Sequence, residues 1–203
     1  MALELDTPHG PARVHLHAAA ADPVAALVLG HGAGGGVGAP DLVVATEAAH
    51  GAGVTVALVE QPYRVAGRRS PAPAAQLDAA WAAVVAQLRA GALGGLPLVA
   101  GGRSSGARVA CRTAGETGAI AVLCLAFPLH PPGRPEKTRV AELEAVDVPV
   151  MVVQGESDPF GMPPPGAGRE VARLRGNHGL RSDVPGLRDA VGRWLERVLS
   201  TSA

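Results

Sequence analysis

The sequence predicts an α/β fold: a mostly parallel sheet of about seven strands with helices on both faces. Two observations carry this prediction. Short apolar segments alternate along the chain with longer segments of helical periodicity. The middle strand segments are apolar throughout, as is typical of strands covered by helices on both faces. The length of 203 residues fits a single domain over residues 1–203, with no inserted cap domain.

The predicted strands are short segments rich in aliphatic and β-branched residues: "ARVHLHA", "VAALVLG", "VTVALVE", "LPLVAG", "AIAVLCLA", "VPVMVVQ" and "EVARLRG". The turn-like "AADP" joins the first two, so we expect them to form an antiparallel hairpin at one edge of the sheet.

Apolar residues spaced three and four apart predict two long helices, one from Leu77 to Leu88 and one from Leu187 to Val198. Shorter helices are expected at 41–51 and at 105–114, the latter stopped by Gly115. Alternating strands and helices place several loops at the carboxyl edge of the sheet, where open α/β sheets bind their ligands.

Composition excludes several classes of function. The formal net charge of +0 gives no global field that would recruit nucleic acid or an anionic membrane. The N-terminal "MALELD" lacks a basic segment, and no apolar run approaches the ~20 residues that span a bilayer, so we expect a cytoplasmic protein. Cys111 and Cys124 have no metal-binding spacing and are expected to be buried thiols. Neither a metal nor a cofactor is predicted.

The segment Gly102-Arg103-Ser104-Ser105-Gly106 follows a predicted strand and opens a predicted helix. A loose polar turn is one interpretation of it. The other is a GxSxG nucleophile elbow, in which a serine sits on a sharp turn between strand and helix. Such a turn needs small residues two positions before and after the serine, and Gly102 and Gly106 meet this requirement. The second interpretation makes Ser104 a nucleophile.

A serine hydroxyl is a weak nucleophile without a base. The segment "GESDPFG" after a strand offers Asp158, with Glu156 as the alternative acid, and "NHGLR" after the last strand offers His178. The order Ser104, Asp158, His178 is the one expected for this kind of elbow. The glycine-rich "LVLGHGAGGG" offers an oxyanion hole built from the backbone N–H groups of Ala33 and Ser105.

Further residues follow strand ends and are candidates for substrate binding: His31, Gly32, Arg64, Arg68, Arg69 and His130. His31 is expected mainly to brace the glycine-rich loop, and a structural role is also expected for His130. The three arginines are interpreted either as solvated loop residues or as a site for an anionic substrate group.

The segments "LVLGHGAGG", "AGGRSSGARVA", "LAFPLHPPGRPEKTR" and "VPVMVVQGESDPFG" resemble the α/β-hydrolase superfamily in its small dienelactone-hydrolase-like form. Within it, the chain resembles the branch related to the testis-expressed and non-specific-lethal chromatin proteins. This resemblance implies a hydrolase fold and a triad of Ser104, Asp158 and His178. It implies no particular substrate.

Together these patterns predict a serine hydrolase that acts on an ester or thioester through an acyl-enzyme intermediate. We expect a small-molecule substrate, with no nucleic-acid or membrane partner. Two alternatives remain open: a non-catalytic interaction module on a hydrolase fold, and a peptidase or haloperoxidase-like enzyme. The sequence leaves the oligomeric state and the identity of the substrate open.

Overall fold

The computed structural model describes residues 1–201, and this part of the chain contains eight strands. They are β1 (Ala2–Leu5), β2 (Ala12–His17), β3 (Ala25–Gly30), β4 (Val54–Glu60), β5 (Leu98–Arg103), β6 (Ala121–Leu125), β7 (Val150–Gly155) and β8 (Arg169–Leu174). The helices of the same range are α1 (Pro40–Gly51), α2 (Pro62–Val65), α3 (Ala74–Ala90), α4 (Ser105–Thr117), α5 (Val140–Glu144) and α6 (Val184–Ser200). The predicted alternation of strands and helices is confirmed.

The strands form one sheet in the order β1-β2-β4-β3-β5-β6-β7-β8. The strands from β4 to β8 along this order are parallel, whereas β1 and β2 are antiparallel to their neighbours. The parallel strands therefore all end at one edge of the sheet. The loops that follow them meet at that edge, where we expect the functional site.

Two details of the sheet differ from the sequence prediction. The hairpin partner of β2 is β1, a strand that no sequence pattern predicted, and β2 pairs on its other side with β4. The predicted hairpin of β2 with β3 is wrong. Every residue of β3 is buried, so β3 occupies the sheet interior between β4 and β5, while β1 has an alternating exposed pattern suited to an edge.

Helix α4 is also longer than predicted. It continues past Gly115 to Thr117 and ends at Gly118, which has the left-handed conformation (φ 64°) that glycine adopts without strain at helix ends. Helices α1, α3 and α6 lie close to their predicted positions, whereas the short helices α2 and α5 were not predicted.

Two hydrophobic cores cover the two faces of the sheet. One core packs α3 and α4 against the sheet around Trp81, and the other packs α1 and α6 around Trp194. The longest segment without a helix or strand in the described range, 126–139, lies between β6 and α5. Within residues 1–201, no cap domain covers the carboxyl edge of the sheet.

Candidate active site

Ser104 lies at the turn between β5 and α4 in a backbone conformation that side chains rarely adopt (φ 51°, ψ −111°). A residue held in such a region costs about 1–3 kcal/mol and persists only where its surroundings enforce it. Here the N–H of Ser104 donates a 2.9 Å hydrogen bond to the carbonyl of Leu125, at the end of β6. The neighbouring strand thus holds Ser104 in its strained conformation.

Close backbone contacts explain the glycines of the elbow. A Cβ atom on Gly106 would lie 2.5 Å from the carbonyl carbon of Gly30, and one on Gly102 would lie 2.6 Å from the carbonyl oxygen of Gly30. Gly30 ends β3 and pairs with Gly102 in the sheet. Because the obstructing atoms are backbone, they cannot move aside without separating α4 from the sheet.

We therefore expect Gly106→Ala to lower the free energy of unfolding by about 3 kcal/mol or more, the upper range for overpacking. Gly115→Ala is the matched control, because Gly115 lies on the exposed side of the same helix, where an added methyl group would have no atom within 4 Å. It should raise the free energy of unfolding by about 0.5–1 kcal/mol. Urea unfolding of both variants measures the effects, and equal effects would contradict the close-contact argument.

A continuous chain of hydrogen bonds joins Ser104, His178 and Asp158. The Nε2 atom of His178 lies 3.0 Å from Ser104 Oγ, and its Nδ1 atom lies 2.8 Å from Asp158 Oδ2. An ionised carboxylate only accepts hydrogen bonds, so Nδ1 carries the proton and Nε2 presents its lone pair to the serine hydroxyl. This tautomer allows His178 to remove the Ser104 proton.

The Asp158 carboxylate is fully enclosed, with a side-chain exposure of 0%. Besides His178, the side-chain amide of Gln154 donates to Oδ2 at 2.8 Å, and the N–H of Phe160 donates to Oδ1 at 2.9 Å. These donors satisfy the carboxylate and fix its orientation toward His178. Glu156, the alternative acid, is exposed and makes no contact with His178 among those that the structure records.

The loops that carry the acid and the histidine touch each other. A Cβ atom on Gly155, the last residue of β7, would lie 2.5 Å from the carbonyl oxygen of Asn177. Gly155 therefore permits the His178 loop to approach the Asp158 loop. No role was predicted for this glycine, although its place at a strand end beside Asp158 is visible in the motif "GESDPFG".

Phe160 is a second residue of the site that was not among the predicted ones. Its ring lies 4.3 Å from the His178 ring, centroid to centroid, with a tilt of 35°. The other aromatic residues of the chain are buried, and only Phe160 is partly exposed: Tyr63, Trp81, Phe127 and Trp194 lie in the cores. Phe160 therefore forms an apolar wall beside the imidazole.

The glycine-rich loop packs against the elbow. A Cβ atom on Gly32 would lie 3.5 Å from the Cβ of Ser104. The hydroxyl of Tyr63 donates to the carbonyl oxygen of Ala33 at 2.9 Å and fixes the next residue of the loop. Ser105 is the first residue of α4, so its N–H has no partner within the helix. Of the two predicted oxyanion-hole residues, Ser105 is therefore the chain neighbour of Ser104, and Ala33 follows Gly32, the loop residue that lies against Ser104.

His31 braces this loop through both of its ring nitrogens. Nδ1 donates to the carbonyl of Gly32 at 2.8 Å, and Nε2 accepts from the N–H of Gln61 at 3.1 Å. Burial lowers the pKa of His31 below its usual 6.5, so the ring is neutral. With both nitrogens occupied and an exposure of 3%, His31 offers no polar atom to a substrate.

The lowered pKa of His31 gives stability a defined pH dependence. Below pH 6.5 the unfolded chain binds a proton at His31 that the folded protein excludes. The free energy of unfolding therefore decreases as the pH falls through 6.5 toward the folded-state value. We expect His31→Asn to be less stable than the parent at pH 7.5 but to lose less stability between pH 7.5 and 5.5. Urea unfolding at both pH values is the measurement, and parallel losses would refute the prediction.

The arginines after β4 lie apart from the groove that contains Arg103. Arg64 donates to the carbonyl of Arg68 at 3.2 Å, and Arg68 lines a pocket of about 100 Å³ with His9 and Gln76. A different groove of about 500 Å³ includes Arg103 and Gly179, the chain neighbours of Ser104 and His178. It is lined by residues 34–36 and 38–41 with Arg103, Gly179 and Arg181. Arg64, Arg68 and Arg69 are not among its lining residues, so the structure does not bring them to this groove.

His130 contacts the acid loop. Its backbone N–H donates to the carbonyl of Phe160 at 3.0 Å, and its ring atom Nδ1 donates to the carbonyl of Pro131 at 2.9 Å. The ring of His130 also packs against Gly161. These contacts link the segment after β6 to the loop that carries Asp158.

Within residues 1–201, no group of three or more histidine, cysteine, aspartate or glutamate side chains is arranged to hold a metal ion. In the same range, every helix is too short or too polar to cross a bilayer.

The fold is shared with solved hydrolase structures. A serine hydrolase without a lid from Xanthomonas campestris superposes with a TM-score of 0.78 at 21% identity, over 97% of this chain and 94% of that one. A dienelactone hydrolase from Anabaena variabilis superposes with a TM-score of 0.73 at 16% identity, over 99% of this chain and 96% of that one. The esterase Pf2001 from Pyrococcus furiosus superposes with a TM-score of 0.75 at 14% identity, over 97% of this chain and 89% of that one.

No curated protein matches the sequence. Residues 23–174 match the alpha/beta hydrolase domain family, which covers the segment from the start of β3 to the end of β8. This segment contains the elbow, the glycine-rich loop and the acid loop. The chain belongs to the alpha/beta hydrolase family.

Proposed function

We propose that the protein is a serine hydrolase that transfers an acyl group from an ester or thioester to water. The observation that carries the proposal is the hydrogen-bond chain from Ser104 Oγ through His178 to the buried Asp158 carboxylate. His178, the proposed base, contacts both Ser104 and Asp158, and the acid is enclosed while the histidine and serine remain partly accessible.

The proposed mechanism is a sequence of proton transfers through His178. His178 Nε2 takes the hydroxyl proton as Ser104 Oγ attacks the acyl carbonyl, which gives a tetrahedral intermediate. The imidazolium then protonates the leaving oxygen or sulfur, and an acyl-enzyme remains. Water repeats the attack with His178 as base, and the acid product leaves. Asp158 stabilises the imidazolium and holds the Nδ1–H tautomer throughout.

We assign the oxyanion hole to the backbone N–H groups of Ser105 and Ala33. The N–H of Ser105 belongs to the N-terminal end of α4, where the free amides and the helix dipole favour a developing negative charge. The brace of His31 and Tyr63 supports this assignment, because a preorganised loop needs no rearrangement when the charge forms.

The open carboxyl edge favours substrates that need little enclosure. Without a cap, the acyl or leaving group can extend past the partly exposed Phe160 into solvent. The names of two structural relatives, a dienelactone hydrolase and an esterase, support ester chemistry. The narrower resemblance to the chromatin-related branch supports the alternative of a non-catalytic module, but the intact hydrogen-bond chain favours the enzyme.

A fluorophosphonate probe tests the proposal, because it reacts with an activated serine. The folded protein should be labelled, and the label should map to the peptide that contains Ser104. Heat-denatured protein is the control and should remain unlabelled. Absence of labelling in folded protein would refute the proposal and favour the interaction module. Turnover of matched ester, thioester and amide substrates then separates an esterase or thioesterase from a peptidase.

A further inference from the structure

Arg103, the residue before Ser104, makes contacts that the proton transfers described above do not involve. It ends β5, and its side chain is 20% exposed. Its Nε donates to Asp41 Oδ2 at 2.7 Å, and its Nη2 donates to the backbone carbonyl of His178 at 3.2 Å. The guanidinium therefore touches the loop of the proposed base directly.

The partner of Arg103 is buried. Asp41 has a side-chain exposure of 1% and lies in the first turn of α1, the helix that follows the glycine-rich loop. Its other oxygen, Oδ1, accepts the N–H of Leu42 at 3.0 Å. Burial raises the pKa of Asp41, and the Arg103 charge opposes that rise. A buried carboxylate with one cationic partner holds that partner in a fixed place.

The guanidinium also lies against the glycine-rich loop. A Cβ atom on Gly32 would be 2.8 Å from Arg103 Nη1. Arg103 therefore contacts three parts of the site at once: the start of α1 through Asp41, the loop at Gly32, and the carbonyl of His178. Arg103 is joined to Ser104 by a peptide bond. These contacts therefore fix the position of each of the three parts relative to Ser104.

A comparison within the chain separates this arrangement from an ordinary ion pair. Arg108, four residues after Ser104 on α4, forms two hydrogen bonds with Glu142 at 2.9 and 2.6 Å. That pair joins α4 to α5, and neither side chain contacts Ser104, His178 or Asp158 in the described part of the chain. It resembles the Arg103–Asp41 pair in chemistry but lacks the contact to the His178 loop.

We propose that Arg103, anchored by Asp41, is a positioning residue that sets the placement of His178 and the glycine-rich loop relative to Ser104. The proposal rests on the proposed hydrolase function. It assigns no contact between Arg103 and the substrate. Its consequence is that the loss of the guanidinium should slow the chemical steps more than it weakens substrate binding.

The test is the double variant Arg103→Gln/Asp41→Asn, which removes both charges and leaves no unpaired buried carboxylate. With an ester that the parent hydrolyses, kcat should fall about 100-fold while KM stays within about threefold, as expected for a misplaced base. The rate of fluorophosphonate labelling should fall in parallel. Arg108→Gln/Glu142→Gln is the matched control and should change kcat by less than about threefold.

The Arg103→Lys variant provides a second test in case the double variant does not fold. Lysine can meet Asp41 but lacks the fork that also reaches the His178 carbonyl. It should keep the unfolding midpoint within a few degrees of the parent and still lower kcat about tenfold. A folded variant of either kind with parental kcat overturns the proposal. An unlabelled parent protein would instead refute the hydrolase function itself, so the two failures are distinguishable.

Discussion

Replacing Ser104 with alanine should lower kcat by about 10⁶-fold, the scale typical of removing a serine nucleophile from a triad. The physical reason is that no other hydroxyl is hydrogen-bonded to His178 Nε2 in the described chain. The hydroxyl is expected to contribute little to the binding of substrate before the reaction, so KM should change little. Hydrolysis of an activated ester and fluorophosphonate labelling are the two measurements.

Ser105→Ala is the matched control for this experiment. It removes a hydroxyl one residue away but keeps the backbone N–H that we assign to the oxyanion hole. Labelling should persist in Ser105→Ala and disappear in Ser104→Ala. The opposite pattern would show that the nucleophile has been assigned to the wrong serine of the elbow.

Replacing Asp158 with asparagine should lower kcat by about 10⁴-fold, because the neutral amide no longer enforces the Nδ1–H tautomer of His178. The surroundings sharpen this expectation. Each carboxylate oxygen of Asp158 accepts a further hydrogen bond, from Phe160 N–H at Oδ1 and from Gln154 at Oδ2. Asparagine has a single carbonyl oxygen, so its amino group must face either Phe160 N–H, at the Oδ1 position, or both Gln154 and the imidazole, at the Oδ2 position.

Glu156→Gln is the control for the acid, since it makes the same chemical change two residues away at an exposed position. Steady-state kinetics at pH 7.5 should show a change of less than about threefold for Glu156→Gln. If that variant lost more activity than Asp158→Asn, the exposed carboxylate would be the functional one.

Much of this site was predictable because short sequence motifs at the ends of parallel strands form it. The elbow glycines are needed wherever a strand turns sharply into a helix, and they are visible in the sequence around Ser104. Asp158 and His178 follow apolar strands, and parallel strands end at the same edge. Local pattern and sheet topology together were enough to place all three residues near each other.

The features that escaped prediction depend on contacts between distant segments. The Arg103–Asp41 pair joins residues 62 positions apart, and nothing in either local pattern identifies the partner. The pairing of β2 with β4 was also missed, because it joins residues such as Arg13 and Glu60, which lie 47 positions apart. The substrate-binding role of Arg64, Arg68 and Arg69 stays a prediction.

The strained backbone at Ser104 has an evolutionary consequence. Glycine adopts a φ of 51° readily, so Ser104→Gly would relieve the strain of about 1–3 kcal/mol and offset its own entropic cost of roughly 0.5–1 kcal/mol. A lineage selected only for a stable scaffold would drift toward glycine at this position. The proposed role of the Ser104 hydroxyl as nucleophile accounts for a serine at a turn where glycine would be the more stable residue.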